Sequence, residues 1–385
     1  MQDSISISRR SFFQGAAALG TAAAFPLAAR VKGTDAPAER QWPRLDRTEL
    51  LFYRDERGQV QPVRTGAQWQ KRRATIVAAM EQLMGPLPGP EKRCPLAVQT
   101  HFELDEGDFV QRRISFAAEP GERVPAYLLI PKAALPEGAA PLPAALCPLG
   151  TGMSRDAFAE QPLAGAGLPP FDDQRNYPRE LAARGYVVLI PPYPILGQYN
   201  PDLRALGYRS GTMKAIWNNI RALDVLESLP AVRPGQFGSI GHSLGGHNSV
   251  YTAVFEPRIQ VVVSSCGLDS YLDYYGGDQR VWTPGRGWTQ DRYIPELAAY
   301  RGRLEEIPFD FHEMIGALAP RACFINAPLR DSNFQWESAA EVVRAARQVY
   351  QLYGQPENVR IEHPDAAHEF PAEMRRIAYR LFDRM

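Results

Sequence analysis

Phe237-Gly238-Ser239-Ile240-Gly241-His242-Ser243-Leu244-Gly245-Gly246 decides how the rest of the chain is read. An apolar run ends at Ile240, a helical pattern runs from Gly245 to Phe255, and between them stands Gly-x-Ser-x-Gly. A strand that turns directly into a helix around a serine forces that serine into a strained conformation and exposes its hydroxyl. The glycines answer a steric demand, because side chains at Gly241 or Gly245 would collide with neighbouring backbone. The same turn sets Ser243 at a helix N-terminus, where backbone N–H groups and the helix dipole favour developing negative charge. A glycine-rich turn that merely packs is the alternative, and the flanking strand and helix patterns favour the nucleophile.

Outward from this segment the chain alternates between short apolar runs and amphipathic stretches. Ala144–Cys147, Tyr186–Ile190, Phe237–Ile240, Val261–Ser264, Ala322–Asn326 and Val359–Glu362 read as strands. Tyr177–Arg184, Gly211–Leu229, Gly245–Phe255, Glu337–Tyr353 and Pro371–Asp383 read as helices. Continuously apolar strands separated by helices predict a mostly parallel sheet buried on both faces, an α/β architecture. Val110–Ala117 and Val124–Ile130 alternate around a Glu119-Pro120-Gly121-Glu122 turn and predict an antiparallel edge. Upstream, an Arg-, Trp- and Pro-rich segment carries one predicted helix, Gln68–Met84, stopped by Gly85-Pro86. The rhythm breaks between Leu268 and Pro308, a long aromatic and Gly-rich insertion after the sixth predicted strand.

The 385 residues are 45% hydrophobic and 22% charged, with Lys+Arg and Asp+Glu both at 43. This is the composition of a folded globular chain, and its neutrality offers no general attraction to nucleic acid or anionic membrane. No fixed-period repeat is present. Three of the four cysteines, Cys147, Cys266 and Cys323, fall in or beside apolar runs, where a free thiol acts as a small hydrophobe, so no disulfide framework is expected.

Ser8-Arg9-Arg10-Ser11-Phe12-Phe13-Gln14 precedes an uncharged, alanine-rich run from Gly15 to Ala29. Paired arginines before a moderately apolar stretch form a twin-arginine export signal, and the stretch is short for a bilayer span of about 20 residues. The expected organisation is a signal over 1–29, an N-terminal extension over 30–109 packed on the main domain, and a catalytic domain over 110–385. The expected product is periplasmic or secreted, with no membrane anchor after cleavage.

A nucleophilic serine needs a base and an orienting acid. In chains with this elbow the order is nucleophile, acid, histidine, with the histidine after the last strand. Of the six histidines, only His363 and His368 follow Val359–Glu362. His368, in the loop Asp365-Ala366-Ala367-His368-Glu369-Phe370, is the stronger candidate; His363 abuts the strand and Pro364. Asp331, in the loop after Ala322–Asn326, is the candidate acid, and Asp269 at the end of the preceding strand is the alternative. The oxyanion donors would be the backbone N–H of Leu244 and that of Thr151, in Pro148-Leu149-Gly150-Thr151-Gly152. His242 and His247 read as packing residues. His363 and His368 do not have helical metal-ligand spacing and no Cys/His cluster exists, so neither a metal nor another cofactor is expected.

With these residues the chain resembles the α/β-hydrolase superfamily, in particular its bacterial carbohydrate-esterase (acetyl xylan esterase) and dienelactone-hydrolase-like branch. The resemblance runs from Val124 to the C-terminus, on Val124-Pro125-Ala126-Tyr127-Leu128-Leu129-Ile130-Pro131, Gly150-Thr151-Gly152, the elbow, Asp331 and His368. Ser210-Gly211-Thr212-Met213-Lys214-Ala215-Ile216-Trp217 and Pro308-Phe309-Asp310-Phe311-His312-Glu313 resemble signatures of exported bacterial hydrolases. The resemblance implies an α/β-hydrolase fold and Ser-His-Asp hydrolysis of a small ester or oligosaccharide ester, acetyl esters first. Trp288, Tyr293 and Trp217 are the candidate substrate-binding rings. The competing readings are a serine peptidase of the prolyl-oligopeptidase kind and a non-catalytic binding protein. The N-terminal region is too short for the propeller of the first, and the full set of triad candidates argues against the second.

The signal reading predicts that replacing Arg9 and Arg10 together by lysine retains the unprocessed precursor inside the cell. Fractionation with intact-mass measurement checks this, and normal export of the double variant would contradict it.

Overall fold

The alternation of apolar runs and helices closes into one sheet with helices on both faces. The computed structural model describes residues 43–158, 168 and 175–385, so the export-signal reading of residues 1–29 lies outside the described residues. A ribbon of β1 (Phe52–Arg54) and β2 (Val60–Pro62) precedes α1 (Gly66–Met84). Next come β3 (Gln99–Asp105), β4 (Phe109–Glu119) and β5 (Glu122–Pro131), an antiparallel meander. The crossover units follow: β6 (Leu142–Leu146), α2 (Thr151–Ala157), α3 (Tyr177–Ala183), β7 (Val187–Ile190), α4 (Gly211–Glu227), β8 (Val232–His242), α5 (Leu244–Phe255) and β9 (Ile259–Ser265). The chain ends with α6 (Phe311–Leu318), β10 (Ala322–Asn326), α7 (Trp336–Leu352), β11 (Val359–Glu362) and α8 (Ala372–Phe382).

Nine strands lie in the order β11-β10-β9-β8-β6-β7-β5-β4-β3. From β7 to β11 across the sheet the neighbours are parallel, and β5, β4 and β3 add the antiparallel edge. Successive strand residues divide between two cores. Leu128, Val187, Val262 and Ile325 join the helices α1, α4, α5, α6 and α7 on one face. Leu129, Val188, Val263 and Phe324 join α2, α3 and α8 on the other. Burial on both sides explains why these strands read as continuous apolar runs.

The edge is wider than the sequence pattern predicts. β3 lies inside the stretch that the sequence assigns to the N-terminal extension, and six of its seven residues are exposed, so it lacks the apolar alternation that marks a half-buried strand. The insertion over 268–308 contains only short 3₁₀ turns, and its rings Tyr271 and Trp282 are buried packing residues.

Three arginines of the N-terminal segment are anchors. Arg44 and Arg72 reach Glu313 on α6 at 2.6 and 3.3 Å, and Arg47 reaches Asp310 at 2.5 Å. Asp310, fully buried, also accepts from the Ser270 hydroxyl and the Tyr271 N–H, and so ties the extension to the start of the insertion. A second cluster joins β4 to α4. Glu119 accepts from Lys214 at 2.5 Å, from the Tyr208 hydroxyl at 2.9 Å and from Lys92. The two signatures that surround Lys214 and Asp310 thus serve as ion-pair hubs.

Lys214 has no exposed side-chain surface. Glu119→Gln would leave its ammonium buried without its hydrogen-bonded carboxylate, which costs about 3–5 kcal/mol. Urea unfolding monitored by circular dichroism should show that loss; a change below about 1 kcal/mol would contradict the role given to the pair.

Candidate active site

β8 ends at His242 and α5 begins at Leu244, so Ser243 alone makes the turn. Its φ of 56° and ψ of −124° lie where a side chain is strained, at a cost of about 1–3 kcal/mol. Neighbouring groups hold it there. A Cβ on Gly241 would lie 2.2 Å from the Gly245 carbonyl carbon, and one on Gly245 would lie 2.2 Å from the Pro148 oxygen. The Ser243 N–H donates to the Ser265 carbonyl at 2.7 Å, which pins the elbow to the end of β9.

Two loops bring the other groups. The loop after β11 carries His368, and the Ser243 hydroxyl donates to its Nε2 at 2.9 Å. The loop after β10 carries Asp331, whose carboxylate accepts from His368 Nδ1–H at 2.9 and 3.0 Å. Asp331 also accepts from the N–H of Asn333 at 2.8 Å and of Phe334 at 3.4 Å. The loops are joined by Leu329 N–H to Pro364 O and Arg330 N–H to Ala366 O, each 3.0 Å. A carboxylate only accepts, so it fixes the proton on Nδ1 and leaves Nε2 free to take one from the serine.

The alternatives sit elsewhere. Asp269 is buried, its carboxyl is pushed well up by burial, and it accepts from the Gln335 N–H at 3.0 Å. His363 Nδ1 donates to the Ala327 carbonyl at 2.8 Å and its ring packs on Trp336. His247 is buried between Tyr251 and Trp288, and burial pushes its imidazole down to about 3.

Leu244 and Thr151 are the first residues of α5 and α2, so neither N–H has a carbonyl of its own helix to reach. Gly150 brings the second loop close, since a Cβ there would lie 3.5 Å from the Ser243 Cβ. Two helix N-termini therefore converge beside the serine.

A cavity of about 630 Å³ opens on Ser243, Leu244 and Thr151. The insertion supplies most of its wall, with Tyr274, Trp288, Tyr293, Arg280 and Arg286, and Phe334 closes the side near His368. Trp288 and Tyr293 stand in this wall. Trp217 does not: it is buried on α4, with its indole N–H donating to the Ala118 carbonyl at 3.0 Å, so it is a core residue rather than a substrate-binding ring. Phe334, absent from the sequence reading, lies near-parallel to the His368 ring at 6.1 Å. An isolated phenylalanine in a loop carries no periodic signal.

Among the described residues, Cys266, Asp331 and His368 place one possible metal-ligand atom each within 4.8 Å of one another. A thiol binds a metal as thiolate, and burial pushes the Cys266 thiol well up, while the other two are already engaged with each other. This donor set suits an acid–base pair better than an ion. No helix among the described residues is long and apolar enough to cross a membrane.

A model of the fungal glucuronyl esterase family matches residues 206–354, which include Ser243 and Asp331. The chain is 29% identical over 147 residues to 4-O-methyl-glucuronoyl methylesterase 1 of Sodiomyces alcalophilus, a match covering 35% of this chain and 29% of that one. It thus spans less than a third of this relative. Putative hydrolase YtaP of Bacillus subtilis is 25% identical over 313 residues, covering 79% of this chain and 96% of its own. Among solved structures, a glucuronoyl esterase from Solibacter usitatus superposes with a TM-score of 0.69 at 19% identity, over 89% of this chain and all of that one. The chain has the α/β-hydrolase fold, and the proteins that it resembles are named as glucuronoyl esterases and a putative hydrolase.

The hydrogen bonds predict which acid serves the imidazole. Asp331→Asn should lower kcat for an ester by about 10³–10⁴-fold, whereas Asp269→Asn should stay within about threefold. The reverse order, measured by steady-state kinetics, would transfer the role to Asp269.

Proposed function

We propose that this protein is a serine esterase that hydrolyses esters of carbohydrates, with the sugar on the acyl side as in a uronic acid ester. Ser243 attacks the ester carbonyl while its proton passes to His368 Nε2, and Asp331 stabilises the imidazolium that forms. The oxyanion is received by the Leu244 and Thr151 N–H groups. His368 then returns the proton to the departing alcohol, and the same imidazole activates water to release the acid and restore Ser243. The twin-arginine reading of residues 1–29 puts this chemistry in the periplasm or outside the cell, where polysaccharides are met.

The observation that carries the carbohydrate reading is the cavity beside Ser243. Its roughly 630 Å³ leave room for a sugar ring next to the serine, and the wall that holds Trp288 and Tyr293 also offers the polar side chains of Arg286, Gln290 and Asn333. The names of the Sodiomyces and Solibacter relatives are what put the sugar on the acyl side. Simple acetyl esters, the first expectation from the sequence, become the secondary substrates.

The purified protein should hydrolyse a benzyl or methyl ester of glucuronic acid with a kcat/KM at least about tenfold above that for p-nitrophenyl acetate. Ser243→Ala and His368→Ala should each lose about 10³-fold or more on both. A preference for the acetate would overturn the acyl assignment, and full activity in Ser243→Ala would overturn the mechanism.

A further inference from the structure

His242, the residue before the nucleophile, is buried against the back of the site and takes no part in the chemistry above. Its ring centroid lies 4.8 Å from that of His368, tilted by 56°. Its Nδ1 is 3.1 Å from the Ser265 hydroxyl. That hydroxyl accepts from the Asn326 side-chain amide at 2.8 Å, and the same amide nitrogen donates to the Glu369 carbonyl at 2.9 Å. Glu369 directly follows His368, so the network starts at the elbow and ends on the loop that carries the imidazole.

The proton positions follow from the ends. A carbonyl only accepts, so the Asn326 NH₂ must face Glu369, and its second hydrogen goes to Ser265. The Ser265 hydroxyl has two acceptors left, Cys266 Sγ at 3.8 Å and His242 Nδ1 at 3.1 Å, and the nearer, stronger acceptor is the nitrogen, which leaves the His242 proton on Nε2. Burial holds this imidazole well below its ordinary value, so it is uncharged and places no competing cation beside the imidazolium formed on His368. Ser265 is also the residue whose carbonyl holds the Ser243 N–H, so one position on β9 serves both the nucleophile and the base.

We propose that His242 is a positioning residue for His368: through Ser265 and Asn326 it anchors the loop bearing the imidazole, and its ring limits the swing of that imidazole away from Ser243. The inference rests on the serine-esterase reading and deepens it. It makes the residue between Gly241 and Ser243 part of the machinery that delivers the proton to the leaving alcohol.

A positioning role can be told from a general loss of structure by changing the leaving group. A methoxide leaving group must be protonated as it departs and depends on the aim of His368, whereas p-nitrophenoxide departs largely unaided. The methyl and p-nitrophenyl esters of one acid are compared by kcat/KM, which reports acylation. His242→Phe keeps a ring and breaks the bond to Ser265; Ser265→Ala removes the hydroxyl alone and serves if the first variant folds poorly. Each should lose about 50-fold on the methyl ester and about fivefold on the p-nitrophenyl ester. His242→Asn, whose short amide can still bond Ser265, should recover part of the methyl-ester activity. Equal losses on both esters would remove this inference alone. A native protein that turns over neither ester would remove the esterase reading and the inference with it.

Discussion

The strained turn at Ser243 is the constraint on which the rest of the site depends. A residue with φ of 56° at the junction of a strand and a helix stays there only because its surroundings leave no alternative. Here the surroundings are the close approach of Gly241 to Gly245, that of Gly245 to Pro148, and the hydrogen bond from the Ser243 N–H to Ser265. The parallel sheet provides the frame, because β8, β9 and β10 run the same way and their C-terminal ends open at one edge. The elbow, the Ser265 network and the Asp331 loop all leave from that edge, and the His368 loop leaves from β11 beside them. This is the crevice where open α/β sheets carry their ligands.

The proposed chemistry would thus rest on rigid parts, with selectivity left to a less regular one. The insertion after β9 has no long element of its own, and it is fastened at its base by Asp310, which takes bonds from Ser270, Tyr271 and Arg47. At its far end, the N–H groups of Gly211 and Thr212 on α4 donate to the carbonyls of Asp291 and Tyr293. A Cβ on Gly211 would lie 2.3 Å from the Arg292 oxygen, so glycine is needed for that approach. Trp288 and Tyr293 are thereby held in the wall of the cavity that opens on the serine. Two segments that read as signatures in the sequence, around Gly211-Lys214 and around Asp310, are the places where the insertion meets the body.

Legibility in the sequence follows the strength of the physical constraint. The elbow is readable because only glycine satisfies its contacts, and the central strands because burial on both faces demands unbroken apolar runs. Asp331 and His368 are readable as positions in loops after particular strands, and the structure sets both within hydrogen-bond distance of one another. β3 is not readable, since an exposed edge strand needs no pattern beyond backbone pairing. Trp217 misleads because a tryptophan near a signature says nothing about which way its ring points, and here it points into the core. Phe334 and the His242–Ser265–Asn326 network are invisible for a related reason. They are contacts between residues on different elements, and nothing that repeats along the chain announces them.

Everything proposed for the site requires that Ser243 be a nucleophile activated by His368. Labelling the native protein with a fluorophosphonate and mapping the adduct by peptide mass spectrometry tests it most directly. One phosphonyl group is expected on the Ser243 peptide, with no adduct in Ser243→Ala and labelling slowed about 10³-fold or more in His368→Ala. A native protein left unlabelled at Ser243, or labelling at full rate without His368, would contradict it.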